Sequence, residues 1–140
     1  MNKYKAIVTL LPIIYPTFRT AMDIEGNELV FLDIGQDAPE TIAVLDKTQC
    51  EAVENHFHLF EKIELKNKDD VTKIGEIISK NLLAALIQNY PNKKFIVYLD
   101  VNTLDSVIIR FHQLWDNEPL YYDTTQFQNK HHHIQSFSNG

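Results

Sequence analysis

The stretch DDVTKIGEIISKNLLAALIQN, residues 69–89, decides the fold class of this chain. Its apolar residues recur at spacings of three and four, which is the periodicity of a helix with one buried face: Val71, Ile74, Ile78, Leu82 and Leu86. Asp69 and Asp70 lie where negative charge favours a helix N-terminus, and Pro91 follows the run as a stop signal. The sequence therefore predicts one long amphipathic helix over about residues 69–89.

The segments on both sides of this helix are typical of β-strands. After it, KFIVYLD (94–100) and SVIIRFHQLW (106–115) are rich in β-branched and aromatic residues, with a connection of hairpin length between them. Before it, two strand-like runs flank EGN (25–27), which suits a tight turn. These patterns predict an α+β fold, a single domain in which the long helix packs on a largely antiparallel β-sheet.

Three further strands and one short helix are predicted in the first half of the chain. The strands are KYKAIVTLL (3–11), ETIAVLD (40–46) and FHLFEKIEL (57–65), the last with a possible bulge at Glu61. The helix is DKTQCEAVENHF (46–57), with Asp46 as its cap and Gln49 at the capping-box position.

A chain of 140 residues has the usual length of one domain. We assign residues 1–125 to a single α+β domain and residues 126–140 to a polar, mobile C-terminal tail. His131–His133 lie in that tail and receive no native role. The apolar start of the chain is interrupted by Pro12 and lacks a small-residue cleavage site, so it is not read as a signal peptide. No apolar run is long enough to span a membrane, and a cytoplasmic location is predicted.

The acidic residues are concentrated in one segment. The net charge is −6, and residues 20–64 hold eleven of the nineteen acidic residues but only two lysines. Such a surface disfavours nucleic acid, whose phosphates need clustered Lys and Arg. It favours a basic protein partner instead, although an acidic surface also serves solubility alone. Asp33, Asp37 and Glu40 are the partner-binding candidates from this segment.

Several kinds of site are excluded by composition. Cys50 is the only cysteine, so an internal disulfide and a thiolate zinc site are both impossible. The four glycines are too far apart for a phosphate-binding loop, and no serine lies in a nucleophile-elbow context. The sequence predicts no cofactor, no resident metal and no catalytic residue.

Two histidine arrangements leave an enzyme or a ligand-binding domain as the alternative. His56 and His58 alternate along a strand, so both imidazoles point to one face and could reach a metal, with Glu54 as a third ligand. His112 could act as a general base beside Arg110, oriented by Asp123 or Glu118.

The stretch IIRFHQLWDNEPLYYD, residues 108–123, favours recognition over chemistry. Val107, Ile109 and Phe111 share one strand face that suits the core, which leaves Arg110 and His112 on the opposite face. Trp, Tyr and Arg are enriched at binding hot spots, and Pro119 stiffens the loop. The predicted partner-binding residues here are Arg110, His112, Trp115, Asp116, Glu118, Tyr121, Tyr122 and Asp123.

In size, acidity, lack of a catalytic motif and aromatic–acidic character, the chain resembles the small immunity proteins that bacteria carry against polymorphic or contact-dependent toxins. The resemblance implies a cytoplasmic protein that binds a cognate toxin, often a basic nuclease, and blocks its active site. No diagnostic motif accompanies it, so no family residue is transferred. A third hypothesis is a homo-oligomeric structural or ligand-sensing domain whose copies pair through an exposed edge of KFIVYLD or SVIIRFHQLW. A monomer is favoured over this oligomer.

Overall fold

The computed structural model of this chain describes residues 3–34, 46–60 and 65–140. The helices are α1 (Lys3–Ile14), α2 (Lys47–Glu54) and α3 (Lys68–Asn89), and a 3-10 turn at Leu65–Asn67 leads into α3. The strands are β1 (Phe18–Met22), β2 (Glu28–Leu32), β3 (His56–Phe60), β4 (Phe95–Asn102), β5 (Val107–Gln113) and β6 (His132–Ser138). The predicted α+β class is confirmed, as is the long helix.

The strands form two antiparallel sheets. β1 and β2 make a two-stranded hairpin, and the larger sheet has the strand order β3-β5-β4-β6. β4 and β5 are therefore interior strands with neighbours on both sides. The predicted oligomerisation edge on these two strands is wrong, because their backbone groups already pair within the sheet.

The main core lies between α3 and one face of the larger sheet. Alternate residues of β4 and β5 point to this face, and all are almost fully buried: Phe95, Val97, Leu99, Val101, Val107, Ile109 and Phe111. The apolar stripe of α3 packs against them through Val71, Ile78, Leu82 and Leu86. Ile74, which the sequence placed on the same stripe, is 43% exposed and lies outside this core. Burying each large apolar side chain contributes about 1.5–3 kcal/mol. The alternating apolar residues of the strands and the apolar stripe of the helix thus form one interface.

Gly75 allows α3 to approach the sheet closely. A Cβ added at this position would lie 2.6 Å from Cδ1 of Leu99, well inside normal van der Waals contact. Glycine has a lower helix propensity than alanine, so it is not the residue that helix formation alone would favour here. Its place in α3 follows from the space that Leu99 occupies on β4.

The predicted turn between β1 and β2 and the predicted cap of α2 are both confirmed. Gly26 has φ +85°, a left-handed conformation that glycine adopts readily, and Asp23 Oδ1 accepts hydrogen bonds from the backbone N–H groups of Glu25 and Asn27. Asp46 Oδ1 accepts from the backbone N–H of Gln49 at 2.7 Å. The register between β3 and β5 shifts between His58 and Phe60, whereas Glu61 and most of the predicted strand 40–46 lie outside the described residues.

The predicted first strand is wrong, because residues 3–14 form helix α1. Leu10, Ile13 and Ile14 pack into the main core. Ile13 and Ile14 follow Leu10 by three and four residues, so the short apolar run fits one face of a helix as well as it fits a strand. Periodicity alone does not distinguish a strand from a buried helix over so few residues. Pro12 is accommodated within the last turn, at an exposed position.

The predicted C-terminal tail also needs correction. Residues 132–138 form β6, which pairs with β4 over seven residue pairs. Ile134 is its one buried apolar residue, so the strand carries little hydrophobic signal. Its position at the edge of the sheet explains the polar sequence, because one backbone edge and parts of both faces meet water. Across the described ranges, no helix is both long and apolar enough to cross a membrane.

Candidate functional site

Residues 114–131 cover the face of the larger sheet opposite α3, which we call the outer face. Ile96, Tyr98 and Ile134 lie on this face and are buried beneath partly exposed apolar side chains of the covering segment: Leu114, Tyr121, Tyr122 and Phe127. The stretch 108–123 singled out in the sequence is therefore a strand and the loop that folds back over it. Many of its polar groups have partners inside the chain.

His112 lies beneath this loop, with 1% of its surface exposed. Its Nδ1 is 2.6 Å from the carbonyl oxygen of Gln113, and its Nε2 is 3.0 Å from the hydroxyl of Tyr98. Because a carbonyl only accepts, Nδ1 carries the proton and Nε2 accepts from Tyr98. Burial lowers the pKa of His112, which favours this neutral form. The prediction that His112 contacts a partner is therefore corrected, since its ring is inside the protein.

Arg110 lies under the same loop, between two tyrosines. Its guanidinium carbon is 4.9 Å from the ring centroid of Tyr121 and 5.8 Å from that of Tyr122, within the range of cation–π attraction. It also donates a hydrogen bond to the carbonyl oxygen of Ala52. Tyr122 donates to Asp100 Oδ2 at 3.2 Å, and burial raises the pKa of its hydroxyl to about 12. These contacts fix the loop on the outer face.

The histidines near the C-terminus belong to the fold. His132 Nε2 lies 2.7 Å from Asp100 Oδ1, and His131 Nδ1 lies 3.1 Å from Thr103 Oγ1. His133 faces α3, and its burial lowers its pKa. Their native roles are therefore structural ones at the sheet edge, in contrast with the sequence prediction that assigned them none.

The other end of the loop is held by Glu51, a fully buried residue of α2. Its two carboxylate oxygens accept four hydrogen bonds, two from the backbone N–H groups of Val30 and Gln113 and two from the side chains of Gln113 and Trp115. Burial raises the pKa of Glu51, and the four N–H donors act against that rise. All four partners are donors, which matches an ionised carboxylate. Glu51 thus joins α2, β2, β5 and the loop at one point.

Three segments that are distant in sequence converge around Lys47 at the start of α2. Its ammonium nitrogen lies 2.9 Å from Glu118 Oε2 and 5.1 Å from the ring centroid of Trp115. The hydrogen bond with Glu118 raises the pKa of Lys47, and the charges of Asp23 and Glu25 act in the same direction. Glu118 Oε1 also accepts from the backbone N–H of Thr48 at 2.8 Å. The α2 N-terminus and the 115–118 loop are therefore in direct contact, and the β1–β2 turn lies within electrostatic range of Lys47.

We define the acidic surface as the carboxylates at this junction together with Trp115 and Lys47: Asp23, Glu25, Asp46, Asp116 and Glu118. Glu25, Asp46 and Asp116 are exposed, and Trp115 is half-buried. A hydrogen bond from the Asn27 side chain lowers the pKa of Asp23, which keeps that carboxylate ionised. Five carboxylates against one ammonium leave this surface strongly negative.

The structure separates the predicted partner-binding residues into groups. Trp115, Asp116 and Glu118 lie on the acidic surface, whereas Arg110, Tyr121 and Tyr122 fix the loop to the sheet. Asp123 is exposed, and its carboxylate accepts from Thr125 and Gln126 within a turn. Asp33 is exposed beyond the end of β2, and Asp37 and Glu40 lie outside the described residues.

Sequence reasoning did not select four residues that complete the acidic surface: Asp23, Glu25, Asp46 and Lys47. The first three were counted in the acidic segment, but nothing in the sequence indicated which acids would meet the loop. The available signal was turn and cap chemistry, since an Asp before EGN and an Asp before α2 mark places where a carboxylate is held at the surface.

The outer face also carries an open depression and a pair of neighbouring histidines. An open depression of about 410 Å³ is lined by Leu120, Tyr122, Asp123, Thr124 and Thr125. The rings of His56 and His58 lie 5.4 Å apart, and His56 Nδ1 is 2.7 Å from the carbonyl oxygen of Val53. Within residues 3–34, 46–60 and 65–140, no three His, Cys, Asp or Glu side chains converge as metal ligands.

Comparison with known proteins gave no match to a protein-family model, a curated protein or a solved structure.

Proposed function

We propose that this chain is a protein-binding inhibitor, and specifically a bacterial immunity protein that neutralises a cognate basic toxin in the cytoplasm. The observation that supports this proposal is the convergence of acids from three segments around Trp115 and Lys47. A toxin that acts on nucleic acid carries a basic surface for phosphates. An acidic surface of this kind complements such a partner and blocks it by occlusion.

The energetics of the acidic surface suit fast and specific association. Clustered carboxylates steer a basic partner during diffusional encounter, and this steering weakens as salt rises. Trp115 adds a large apolar group of the type that dominates binding hot spots. Its indole already donates to Glu51 Oε1 at 2.7 Å, so little side-chain freedom remains to be lost on binding.

The first test is capture of the partner from the source-cell lysate and from co-expressed products of neighbouring genes, at low and at high salt. We expect a basic protein to bind in a fixed stoichiometry at low salt and to bind less at high salt. That protein is then produced alone, and its activity is measured while the inhibitor is titrated. Capture without loss of the partner's activity would contradict inhibition.

A matched pair of double variants tests the location of the interface. Glu25→Lys with Asp116→Lys reverses two exposed carboxylates of the acidic surface. Asp70→Lys with Asp105→Lys makes the same charge change at the start of α3 and in the β4–β5 turn, the end of β5 remote from Trp115. We expect the first pair to weaken binding by at least about tenfold and to reduce its salt dependence, whereas the second pair retains most of the affinity. Equal losses in both would place the interface elsewhere.

A further inference from the structure

α1 has an apolar stripe on the side that faces away from the core. Ile7, Val8, Leu11 and Tyr15 follow the spacing of one helix face, and each is between 42% and 78% exposed. Tyr4 extends the stripe by one turn and is 69% exposed. The opposite side of α1 packs inward through Leu10, Ile13 and Ile14. A helix that is apolar on both sides is typical of one covered on both sides.

α1 ends beside a face of α3 that is also apolar and exposed. The side chain of Asn81 donates to the carbonyl oxygen of Ile14, so the end of α1 lies against this part of α3. Ile77 and Ile74 precede Asn81 by four and seven residues, which places them on the same face of α3. Ile77 is 62% exposed and Ile74 is 43% exposed. We call the two helix faces together the α1–α3 apolar surface.

The area of the α1–α3 apolar surface is comparable with the area that one partner buries in a protein–protein interface. Seven large side chains at these exposures present about 600–800 Å², taking roughly 150–200 Å² for each fully exposed side chain. The largest apolar patch on a typical monomer is about 300–600 Å². A standard protein–protein interface buries about 800 Å² on each partner. The α1–α3 apolar surface therefore reaches the area that a stable dimer needs.

We propose that the α1–α3 apolar surface binds a second copy of this chain, with the two α1 helices antiparallel across a two-fold axis. Residues 6–17 contain no charged residue, so two copies can meet along α1 without burying a charge. Lys5 lies near the N-terminal end of α1. An antiparallel pair places each basic end beside the negative end of the other helix dipole, whereas a parallel pair would bring the lysines together.

This dimer does not depend on the proposed inhibitory function, because it uses residues outside the acidic surface. The proposed dimer departs from the monomer that the sequence favoured, and it also differs from pairing through a strand edge. A lipid surface is the less suitable occupant, because a protein with a net charge of −6 is repelled by anionic membranes.

Sedimentation equilibrium from micromolar to submillimolar concentration tests the proposal on the intact chain. We expect a monomer–dimer equilibrium in which Val8→Glu and, separately, Ile77→Glu weaken self-association by at least about tenfold. Leu104→Glu is the control, because Leu104 is a large apolar residue in the β4–β5 turn that is even more exposed, at 81%, than Val8 or Ile77, at 62% each. A monomer at every concentration, or an equal effect of Leu104→Glu, would overturn the proposal, as would flotation of a monomeric chain with lipid vesicles.

Cross-linking provides a second readout that does not depend on tolerance of a charge. Cys50 is buried, so a cysteine introduced at the surface is the reactive one. Leu11→Cys lies near the centre of the stripe and is expected to form a disulfide-linked dimer under mild oxidation. Leu104→Cys is expected to remain largely monomeric, and equal cross-linking of the two variants would argue against a defined α1–α1 contact.

Discussion

The indole Nε1 of Trp115 donates a hydrogen bond to Oε1 of Glu51 at 2.7 Å, across 64 residues of sequence. Glu51 is buried in α2 and accepts three further hydrogen bonds from N–H groups. This contact fixes the loop that carries the acidic surface. The tryptophan that sequence reasoning assigned to a partner is therefore also held by the fold.

Glu51→Gln should lower the free energy of unfolding by about 1–3 kcal/mol, because an amide NH₂ would then face N–H donors and leave them unsatisfied. Urea unfolding followed by circular dichroism measures the change. Trp115→Phe removes one of the four hydrogen bonds to this charged group, and its loss should be about 1.5–3 kcal/mol. If the glutamine variant were as stable as the wild type, the carboxylate would not be the junction described above.

Asn55→Ala should loosen the β1–β2 hairpin. The Asn55 side chain accepts from the backbone N–H of Leu32 and donates to the carbonyl oxygen of Val30, both at 2.8 Å. Asn55 thereby satisfies backbone groups on the edge of β2 that lies opposite β1. We expect a loss of about 1–3 kcal/mol and faster hydrogen exchange at the Leu32 amide. Asn89→Ala, at an exposed position of α3, should change stability by less than about 0.5 kcal/mol.

Stability should fall as the pH drops below about 6.5, the ordinary pKa of histidine. Burial lowers the pKa of His112 in the folded state. Above that pH the ring is neutral in both the folded and the unfolded state, and its contribution to stability is fully present. Below it the unfolded chain binds a proton that the folded chain does not, so stability declines until the lowered pKa is reached.

The pH effect is measured by urea unfolding at about pH 7.5 and about pH 5.5, which lie roughly one unit above and below the ordinary pKa of histidine. His112→Gln should show a smaller difference between the two conditions than the wild type. Some difference should remain, because burial also lowers the pKa of His133. An unchanged difference in His112→Gln would show that His112 does not contribute to it.

Gly75→Ala should destabilise the protein although alanine is the better helix former. The added methyl would lie 2.6 Å from Leu99 Cδ1 in a packed core, and overpacking costs about 1–3 kcal/mol against a propensity gain of about 1 kcal/mol. Leu99→Val shortens the opposing side chain. The double variant should therefore lose less stability than the sum of the two single variants, and strict additivity would contradict the close approach.

The sequence predicted those parts of the fold that depend on neighbouring residues. The helix α3, the β4–β5 hairpin, the turn at Gly26 and the Asp46 cap follow from local periodicity and turn chemistry, and the structure confirms each. Of the five apolar residues predicted for the buried stripe of α3, four are buried and Ile74 is exposed. α1 was predicted as a strand because its apolar run is too short to reveal a period. The binding and dimer roles proposed above remain predictions.

The sequence by itself determined the α+β class, the main core and the excess of acidic residues. Only the tertiary structure decided that His112 is buried, that residues 132–138 complete the sheet, and that the acids of the β1–β2 turn lie within electrostatic range of Lys47, the partner of Glu118. The physical reason is the range of the interactions. Helix and turn signals act between residues a few positions apart, whereas burial and charge convergence depend on which distant strands pair and on which face the covering loop folds.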